Sequence, residues 1–365
     1  MRYVDEFRDS KLIKKALTQI KNIAPSADTK IMEVCGTHTH SFFRFGLSSL
    51  LPSNLRLVAG PGCPVCVSSQ EYIDNSIDLA KDQNNVVLTF GDMLRVPGNL
   101  GSTLEKQRAI HGNVKVVYSV QDALLFALKN PDKRMIFLAV GFETTAPSIA
   151  LGIAAAKKQK IKNLFFYSSL KLIPPAMEYL AKDRRLELSG FLCPGHVSCI
   201  IGSGAYEFMP KKFKIGCCVA GFEPLDILEG LYMLLRQIAE KRPRVQNQYR
   251  RAVTKNGNVK AKRALSEVFN VRDASWRGLG VIPASGLKIK ERFSRFDAEK
   301  NFSFNLGLPA PDLKLKKCRC GDILKGLISP GGCPLFSKAC TPEHPIGPCM
   351  VSSEGACSAH YKYEK

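Results

Sequence analysis

Three cysteines and two histidines lie in two short segments near the start of the chain. CGTHTH runs from Cys35 to His40, and GPGCPVC runs from Gly60 to Cys66. Thiolate and imidazole groups bind soft and borderline metals, and thiols also carry out redox chemistry. Glycine and proline beside them set the backbone conformation and do not fill a core. The two segments therefore predict metal or sulfur chemistry.

Cys63 and Cys66 form a C-x-x-C pair, in which two sulfurs can form a disulfide or bind one metal ion. A structural zinc ribbon would need a second C-x-x-C, which the sequence lacks, so a functional pair is favoured. Cys35 follows a predicted strand. If the two loops are adjacent, Cys35, Cys63 and Cys66 make a three-thiolate metal site. His38 or His40 would then be a fourth ligand or a proton donor, and a hydrogen bond within the loop is an equal alternative for His40.

The composition predicts a globular intracellular protein. The chain has 365 residues and is 45% hydrophobic, enough for two or three domains. It begins without the apolar segment of a secretory signal, and its apolar runs are too short to span a membrane. Thirteen cysteines in a reducing cytoplasm indicate metal ligands, catalytic thiols or buried side chains, because disulfides are rare there. The net charge of +21 is assigned to solubility, since no nucleic-acid-binding motif is present.

Short apolar segments alternate with helical segments over most of the chain. Ser68 to Glu71 and Ser119 to Asp122 are predicted to cap helices, and a long helix is predicted from Pro224 to about Lys241. The predicted strands are residues 30–34, 55–59, 86–90, 114–118, 135–140, 164–167, 188–192 and 214–220. Alternating strands and helices predict parallel α/β sheets with functional loops at the carboxyl ends of the strands.

We therefore expect an α/β protein with two parallel-sheet domains of related topology and a small third region. The repeated GFE at Gly141 and at Gly221 suggests that the two halves are related. The expected boundaries are 1–125 for the first domain, which carries the Cys35, Cys63 and Cys66 site, and 126–300 for the second. Residues 301–365 form a loop-rich, cysteine-rich region.

Six cysteines in this last region predict a second metal site. Four thiolates can hold zinc or an iron–sulfur cluster. Most of the spacings are long, which favours a cluster held by separate loops. The six are Cys318, Cys320, Cys333, Cys340, Cys349 and Cys357.

Other polar residues stand in glycine-flanked loops after predicted strands. His196, in PGHVS, is the most suggestive, and Glu143, Thr144 and Glu223 can be helix caps or turn formers. Four further cysteines lie in apolar surroundings and are predicted to be buried and inert; they are Cys193, Cys199, Cys217 and Cys218.

The motifs together resemble those of the HypD family, maturation factors of nickel–iron hydrogenases, over nearly the whole chain. The matching segments are CGTHTH, GPGCPVC, GFETT from Gly141, PGHVSCIIG from Pro194, GFEPLDIL from Gly221 and the terminal cysteines. One small departure is Ser69, where the family pattern has proline.

The resemblance implies a scaffold on which an iron site with two cyanides and one carbonyl, Fe(CN)2CO, is assembled. A HypC-type partner would share the iron through its N-terminal cysteine, and a HypE-type partner would deliver cyanide. The family pattern implies a [4Fe-4S] cluster on Cys333, Cys340, Cys357 and either Cys318 or Cys320. Cys320 is preferred, which leaves Cys349 spare. We expect a cytoplasmic protein, monomeric on its own, that binds neither nucleic acid nor membrane.

The resulting hypothesis gives Cys35 the role of iron ligand, with Cys63 and Cys66 as a redox pair that also lies at the iron. His38 would tune the Cys35 thiolate or bind a cyanide nitrogen, and Glu143 and His196 would shape the pocket. The chain would be an assembly scaffold with redox activity more than a turnover enzyme. The alternative is a thiol–disulfide oxidoreductase acting on proteins, which would need Cys63 and Cys66 but not Cys35.

Overall fold

The computed structural model describes residues 4–304 and 317–364. Its strands are β1 (Thr29–Glu33), β2 (Leu55–Ala59), β3 (Asn85–Thr89), β4 (Val114–Val116), β5 (Arg134–Gly141), β6 (Leu164–Leu170), β7 (Leu188–Pro194), β8 (Gly216–Ala220), β9 (Val245–Asn247), β10 (Phe269–Trp276) and β11 (Gly280–Ile289). The α-helices of the described residues are α1 (Ser10–Ile23), α2 (Gly36–Arg44), α3 (Pro64–Val67), α4 (Gln70–Leu79), α5 (Leu104–His111), α6 (Val120–Lys129), α7 (Ala146–Lys158), α8 (Ile173–Lys182), α9 (Gly195–Ile201), α10 (Pro224–Ala239), α11 (Val259–Val268), α12 (Ala298–Asn301), α13 (Cys320–Leu324), α14 (Pro348–Val351) and α15 (Ala356–Tyr363).

Two parallel sheets form the body of the molecule, which confirms the predicted α/β class. The first sheet has five strands in the order β2-β1-β7-β8-β9, and the second has four in the order β4-β3-β5-β6. Chain connections leave in opposite directions from β1 and β7 in the first sheet, and from β3 and β5 in the second. These two places are topological switch points, where parallel sheets open a crevice beyond their carboxyl ends.

The strands of the two sheets do not separate at residue 125, where the sequence placed the first boundary. The chain forms β1 and β2, then all four strands of the second sheet, and then returns to the first sheet with β7. β1 pairs with β7 in parallel, with Met32 opposite Phe191. Hydrophobic periodicity identifies each strand but not its partner, because pairing depends on contacts between distant segments.

The predicted strands are all present, and the long helix from Pro224 ends at Ala239. Ser119 and Asp122 form the predicted capping box of α6. α4 differs in detail, because Ser69 is its N-cap and accepts from the Tyr72 amide at 3.2 Å, whereas the Ser68 hydroxyl donates to the Pro64 carbonyl at 3.0 Å. The antiparallel hairpin of β10 and β11 was not predicted.

One continuous hydrophobic core contains residues of both sheets, among them Met32 of β1 and Ile136 of β5. The C-terminal cysteines Cys320, Cys333 and Cys357 belong to the same core. The described part of the loop-rich C-terminal region is therefore packed onto the α/β body. α1 and α10 cover the other face of the first sheet. No helix within 4–304 or 317–364 combines the length and apolar character needed to cross a bilayer.

Candidate functional site

The loop after β1, which carries Cys35, lies directly beside the loop after β2, which carries Cys63. The Gly36 amide donates to the Gly62 carbonyl at 3.0 Å, and the Gly60 amide donates to the Glu33 carbonyl at 2.7 Å. A Cβ atom on Gly62 would lie only 2.3 Å from the Cys35 backbone nitrogen, so a side chain there would force the loops apart. The expectation that the two loops are adjacent is confirmed.

Cys63 and Cys66 are joined as a disulfide, with their Cα atoms 5.3 Å apart. Cys63 is the N-cap of α3, and Pro64 occupies the first turn of this helix. The two residues are 2% and 0% exposed, so the sulfurs are shielded from solvent. In this oxidised state neither residue offers a thiolate to a metal.

A cavity of about 430 Å³ opens at the switch point of the first sheet. Cys35 and His196, which follow β1 and β7, lie on one side, and Phe142 and Thr144 from the second sheet lie on the other. Glu354 from the C-terminal region closes part of the wall. Parallel α/β sheets place their ligands in this kind of crevice.

The Cys35 thiol lies among negative groups. Burial, then the charges of Glu354 and Glu33, raise its pKa to about 12, although the amides of Thr37 and His38 oppose the shift. The free thiol is therefore protonated at neutral pH. Negative charge that disfavours a bare thiolate would favour a metal cation, which displaces the thiol proton when it binds.

Glu33, the last residue of β1, forms hydrogen bonds that hold the Cys35 loop in place. It is 2% exposed, and its carboxyl group accepts hydrogen bonds from the Cys35 amide at 2.8 Å and from the Thr39 hydroxyl. Burial raises the pKa of Glu33 to about 8. The sequence analysis treated this position only as part of a strand.

Glu354 joins the C-terminal region to the Cys35 loop. Its carboxylate accepts from the Thr37 hydroxyl at 2.9 Å, and a Cβ on Gly36 would approach its Cβ to 2.5 Å. Burial is the main cause of the raised pKa of Glu354. Glu354 was not predicted from the sequence, where its position between Cys349 and Cys357 was the available signal.

α15 holds this segment against α2, the helix that begins after Cys35. The Tyr363 hydroxyl lies 3.0 Å from His40 Nε2, and the His360 ring stacks on Phe43 with centroids 5.6 Å apart. His40 is therefore used in the contact between the two helices, which agrees with its alternative role as a hydrogen-bonding residue.

The two candidate histidines occupy different surroundings. His38 is fully buried, and its Nε2–H donates to the carbonyls of Gly221 at 2.9 Å and Ala220 at 3.2 Å. Burial lowers the pKa of His38 to about 4. His196 instead lines the cavity, and its ring stacks on Phe222 at 4.0 Å between centroids. The His38 side chain thus fixes the loop after β8, whereas His196 faces the site.

Of the other predicted residues, Glu143 has one of the roles predicted for it, and Cys199 differs from expectation. Glu143 is buried and caps the start of α8, accepting from the Ile173 amide at 2.9 Å. Cys199 is only half-buried and lines the Cys35 cavity. The interpretation of Cys199 as an inert buried thiol was wrong, whereas Cys193, Cys217 and Cys218 are buried as predicted.

All six C-terminal cysteines line a second, small cavity. The Ile346 amide lies 3.3 Å from Cys340 Sγ and can donate to it. This cavity adjoins the disulfide, because Cys66 Sγ lies 3.7 Å from the carbonyl oxygen of Pro348, the residue before Cys349. In the described parts of the chain, no three His, Cys, Asp or Glu side chains are arranged as a ready-made site for one metal ion.

Residues 11–364 match a family model described as "HypD: Hydrogenase formation hypA family". The chain belongs to the HypD family. It is 45% identical over 370 residues to hydrogenase maturation factor HypD of Azotobacter vinelandii, covering 100% of this chain and 97% of that protein. Identity to HypD of Escherichia coli K12 is 41% over 374 residues, covering 100% and 99%. A putative hydrogenase expression/formation protein of Methanocaldococcus jannaschii is 42% identical over 359 residues, covering 98% of each chain.

Membership confirms the resemblance to the HypD family that the motifs predicted. Four of those motif segments contribute residues to the Cys35 cavity: Cys35 and Thr37, Gly62 and Pro64, Phe142 and Thr144, and Pro194 and His196. A fifth supplies Phe222, which stacks on His196. The segments that identify the HypD family are thus distant in sequence and adjacent in space.

Proposed function

We propose that this HypD family member is a scaffold for assembling the Fe(CN)2CO moiety of [NiFe]-hydrogenase. The observation that carries the proposal is the placement of the Cys35 thiol at a switch-point cavity, beside two carboxyl groups and the Cys63–Cys66 pair. A HypC-type partner would share the iron, and a HypE-type partner would supply cyanide. Iron in this scheme is cargo, which arrives, is modified and leaves.

Cys35 is the proposed ligand of that iron. Coordination exchanges the thiol proton for the metal, and the soft sulfur suits low-valent iron with cyanide and carbonyl ligands. Glu354 supplies negative charge near the sulfur, and Glu33 adds to it when it ionises. His196 and Thr144 line the same cavity and would contact the diatomic ligands in this scheme.

Cys63 and Cys66 are the proposed redox couple. Reduction of their disulfide takes up two electrons and two protons and gives two thiols, and the reverse reaction releases them. After reduction, both sulfurs could lose their protons and bind the iron together with Cys35, which would give the predicted three-thiolate site. The direct contact between the Cys35 and Cys63 loops keeps the pair close to the ligand.

The C-terminal cysteines are the proposed holders of a [4Fe-4S] cluster, with Cys320, Cys333, Cys340 and Cys357 as ligands. The donor set fits, because these thiols surround one cavity and backbone amides near Cys340 can donate to its sulfur. A bound cluster would supply one-electron redox chemistry there. The contact of Cys66 with Pro348 brings the disulfide next to this part of the chain.

Infrared spectroscopy tests the role of Cys35. We expect the wild-type complex with a HypC-type partner, purified anaerobically, to show cyanide and carbonyl bands. Cys35→Ala should abolish them, whereas Cys199→Ala, which removes another thiol of the same cavity, should retain them. Full-strength bands in the Cys35 variant would exclude this residue as the ligand.

The disulfide also supports the alternative function of a thiol–disulfide oxidoreductase. That activity requires a protein substrate to reach Cys63 or Cys66, and both are almost completely buried. The assembly function is therefore favoured. Strong disulfide-reductase turnover by Cys35→Ala would reverse that preference.

A further inference from the structure

A separate cavity of about 370 Å³ lies between the amino end of α4, the carboxyl end of β6 and strand β10. None of the residues that line it also lines the Cys35 cavity. Its wall contains the hydroxyl groups of Ser69 and Tyr167 and the cations Lys171 and Arg272. The proposed function does not use this cavity.

Lys171 is a buried cation with few partners. It is 3% exposed, and its ammonium group donates one hydrogen bond, to the Ser275 carbonyl at 2.7 Å. The ammonium also lies 5.4 Å from the centroid of the Trp276 ring. Within the described residues, no carboxylate forms an ion pair with it, so two of its three N–H groups have no protein acceptor.

The other cation of the cavity is already neutralised. Both terminal nitrogens of Arg272 donate to the Glu299 carboxylate, each at 2.6 Å. Burial, and then the charge of Arg272, lower the pKa of Lys171 to about 7. A buried charge without a counter-ion is costly, so the Lys171 ammonium, when protonated, favours an anionic partner.

Two hydroxyl groups complete a set of donors around this charge. The Tyr167 hydroxyl accepts from the Asn75 amide at 3.2 Å, and the Ser69 hydroxyl accepts from the Tyr72 amide at 3.2 Å. Each hydroxyl therefore keeps its own proton for another acceptor. Ammonium and hydroxyl donors lining one cavity are the groups that bind an oxyanion.

The charged residues that line the cavity determine which oxyanions it would favour. Glu71 and Asp273 also line the cavity, and the charge of Glu299 is taken up by Arg272. Of the two cations in the wall, only Lys171 lacks a carboxylate partner, and the exposed Glu71 and Asp273 add negative charge. A singly charged ligand would meet less repulsion from these carboxylates than a phosphate dianion. We propose that this cavity binds a small monocarboxylate through Lys171, with Tyr167 and Ser69 as further donors.

Acetate is the probe for this site. The full chain is unfolded thermally in increasing acetate, with chloride replaced so that ionic strength stays constant. A ligand that binds only the folded state at about ten times its Kd should raise the Tm by about 1–2 °C, with saturation. Lys171→Met should abolish the rise, whereas Lys158→Met, which removes an exposed charge, should keep it.

A second variant tests the site in case Lys171→Met does not fold. Tyr167→Phe leaves the charge in place and removes one donor, so a higher acetate concentration should be needed for the same rise. The proposed site is contradicted if acetate does not raise the Tm of the wild-type protein. It is also contradicted if acetate raises the Tm of Lys171→Met as much as that of wild type. A larger response to phosphate than to acetate overturns the monocarboxylate assignment.

Discussion

The Cys35 cavity and the C-terminal cysteine cavity both contain cysteine thiols, but they differ in the number of thiols and in the groups around them. The first presents one free thiol, flanked by carboxyl groups, in an opening of about 430 Å³ between two sheets. The second brings six cysteines around a small cavity within a loop-rich segment. The first cavity has an open volume between the two sheets, and the second has thiols as its main polar groups.

Under the proposed function, this contrast corresponds to a difference between iron as cargo and a cluster as resident cofactor. A site that accepts and releases iron needs few protein ligands and an open face, because other ligands must reach the metal. A site that keeps a cluster needs several thiolates and exclusion of solvent. The two are joined where α15 packs on α2 and where Cys66 meets Pro348.

The sharpest test of the contrast is removal of one thiol from the C-terminal cavity. Cys340→Ala should lose most of the bound iron and sulfide of anaerobically purified protein, because a resident cluster needs its four ligands. Cys349→Ala is the matched control, since Cys349 lines the same cavity but is expected to be spare. Equal losses in both variants would contradict the ligand set, and stoichiometric zinc without iron would contradict the cluster.

The next largest effect is expected from a steric substitution at Gly62, which should disturb the Cys35 cavity and leave the C-terminal cavity unchanged. Gly62→Ala places a methyl group against the Cys35 backbone, so the loops must separate. We expect a loss of about 2–3 kcal/mol in the free energy of unfolding, measured by denaturant titration.

Gly91→Ala is a control for this substitution, because its nearest contact would be at 3.9 Å. The iron content of the C-terminal cavity should be unchanged in both variants. A fully stable Gly62→Ala protein would show that the loops can separate at no cost, and the close approach would then be unimportant.

The sequence predicted the elements of both regions better than their assembly. The strand before Cys35 and the capping box at Ser119 follow from local periodicity and local hydrogen bonds. The pairing of β1 with β7 does not, because it joins segments that only tertiary packing brings together. The order of the strands within each sheet could not be predicted from the sequence for that reason.

The roles of individual site residues also depend on tertiary contacts that local sequence patterns do not predict. Cysteine and histidine stand out in a sequence because they are rare, so Cys35, Cys63 and Cys66 could be selected. Glutamate is common, and Glu354 contacts Thr37 across 317 positions of sequence. Its role, like the burial of Lys171, depends on what the fold places around it.

A smaller effect concerns the pH dependence of the Cys35 cavity. Glu33 has its pKa raised from 4.5 to about 8 by burial, so the folded state holds a proton that the unfolded state has lost between these values. Stability from this group is complete below about pH 4.5 and is lost as the pH rises through 8, by up to about 1.4 kcal/mol per pH unit.

Glu33→Gln should therefore flatten the decline of unfolding free energy between pH 5 and 8 by roughly that slope. Exposed Glu105→Gln makes the same change in charge and should leave the decline as it is in wild type. An unchanged profile in Glu33→Gln would mean that Glu33 is ionised in the folded protein.

The smallest expected effect concerns the charge of Glu354 beside Cys35. The charge of Glu354 raises the pKa of the Cys35 thiol, so Glu354→Gln should lower that pKa and increase the thiolate fraction at a given pH. The rate of Cys35 alkylation by iodoacetamide at pH 8, followed by mass spectrometry of its peptide, should rise by up to about tenfold. Glu343→Gln, in the same C-terminal region but outside the cavity, should leave the rate unchanged. If Glu354→Gln slowed alkylation, the carboxylate would be holding the thiol in an accessible position, and its part in the cavity would be structural and not electrostatic.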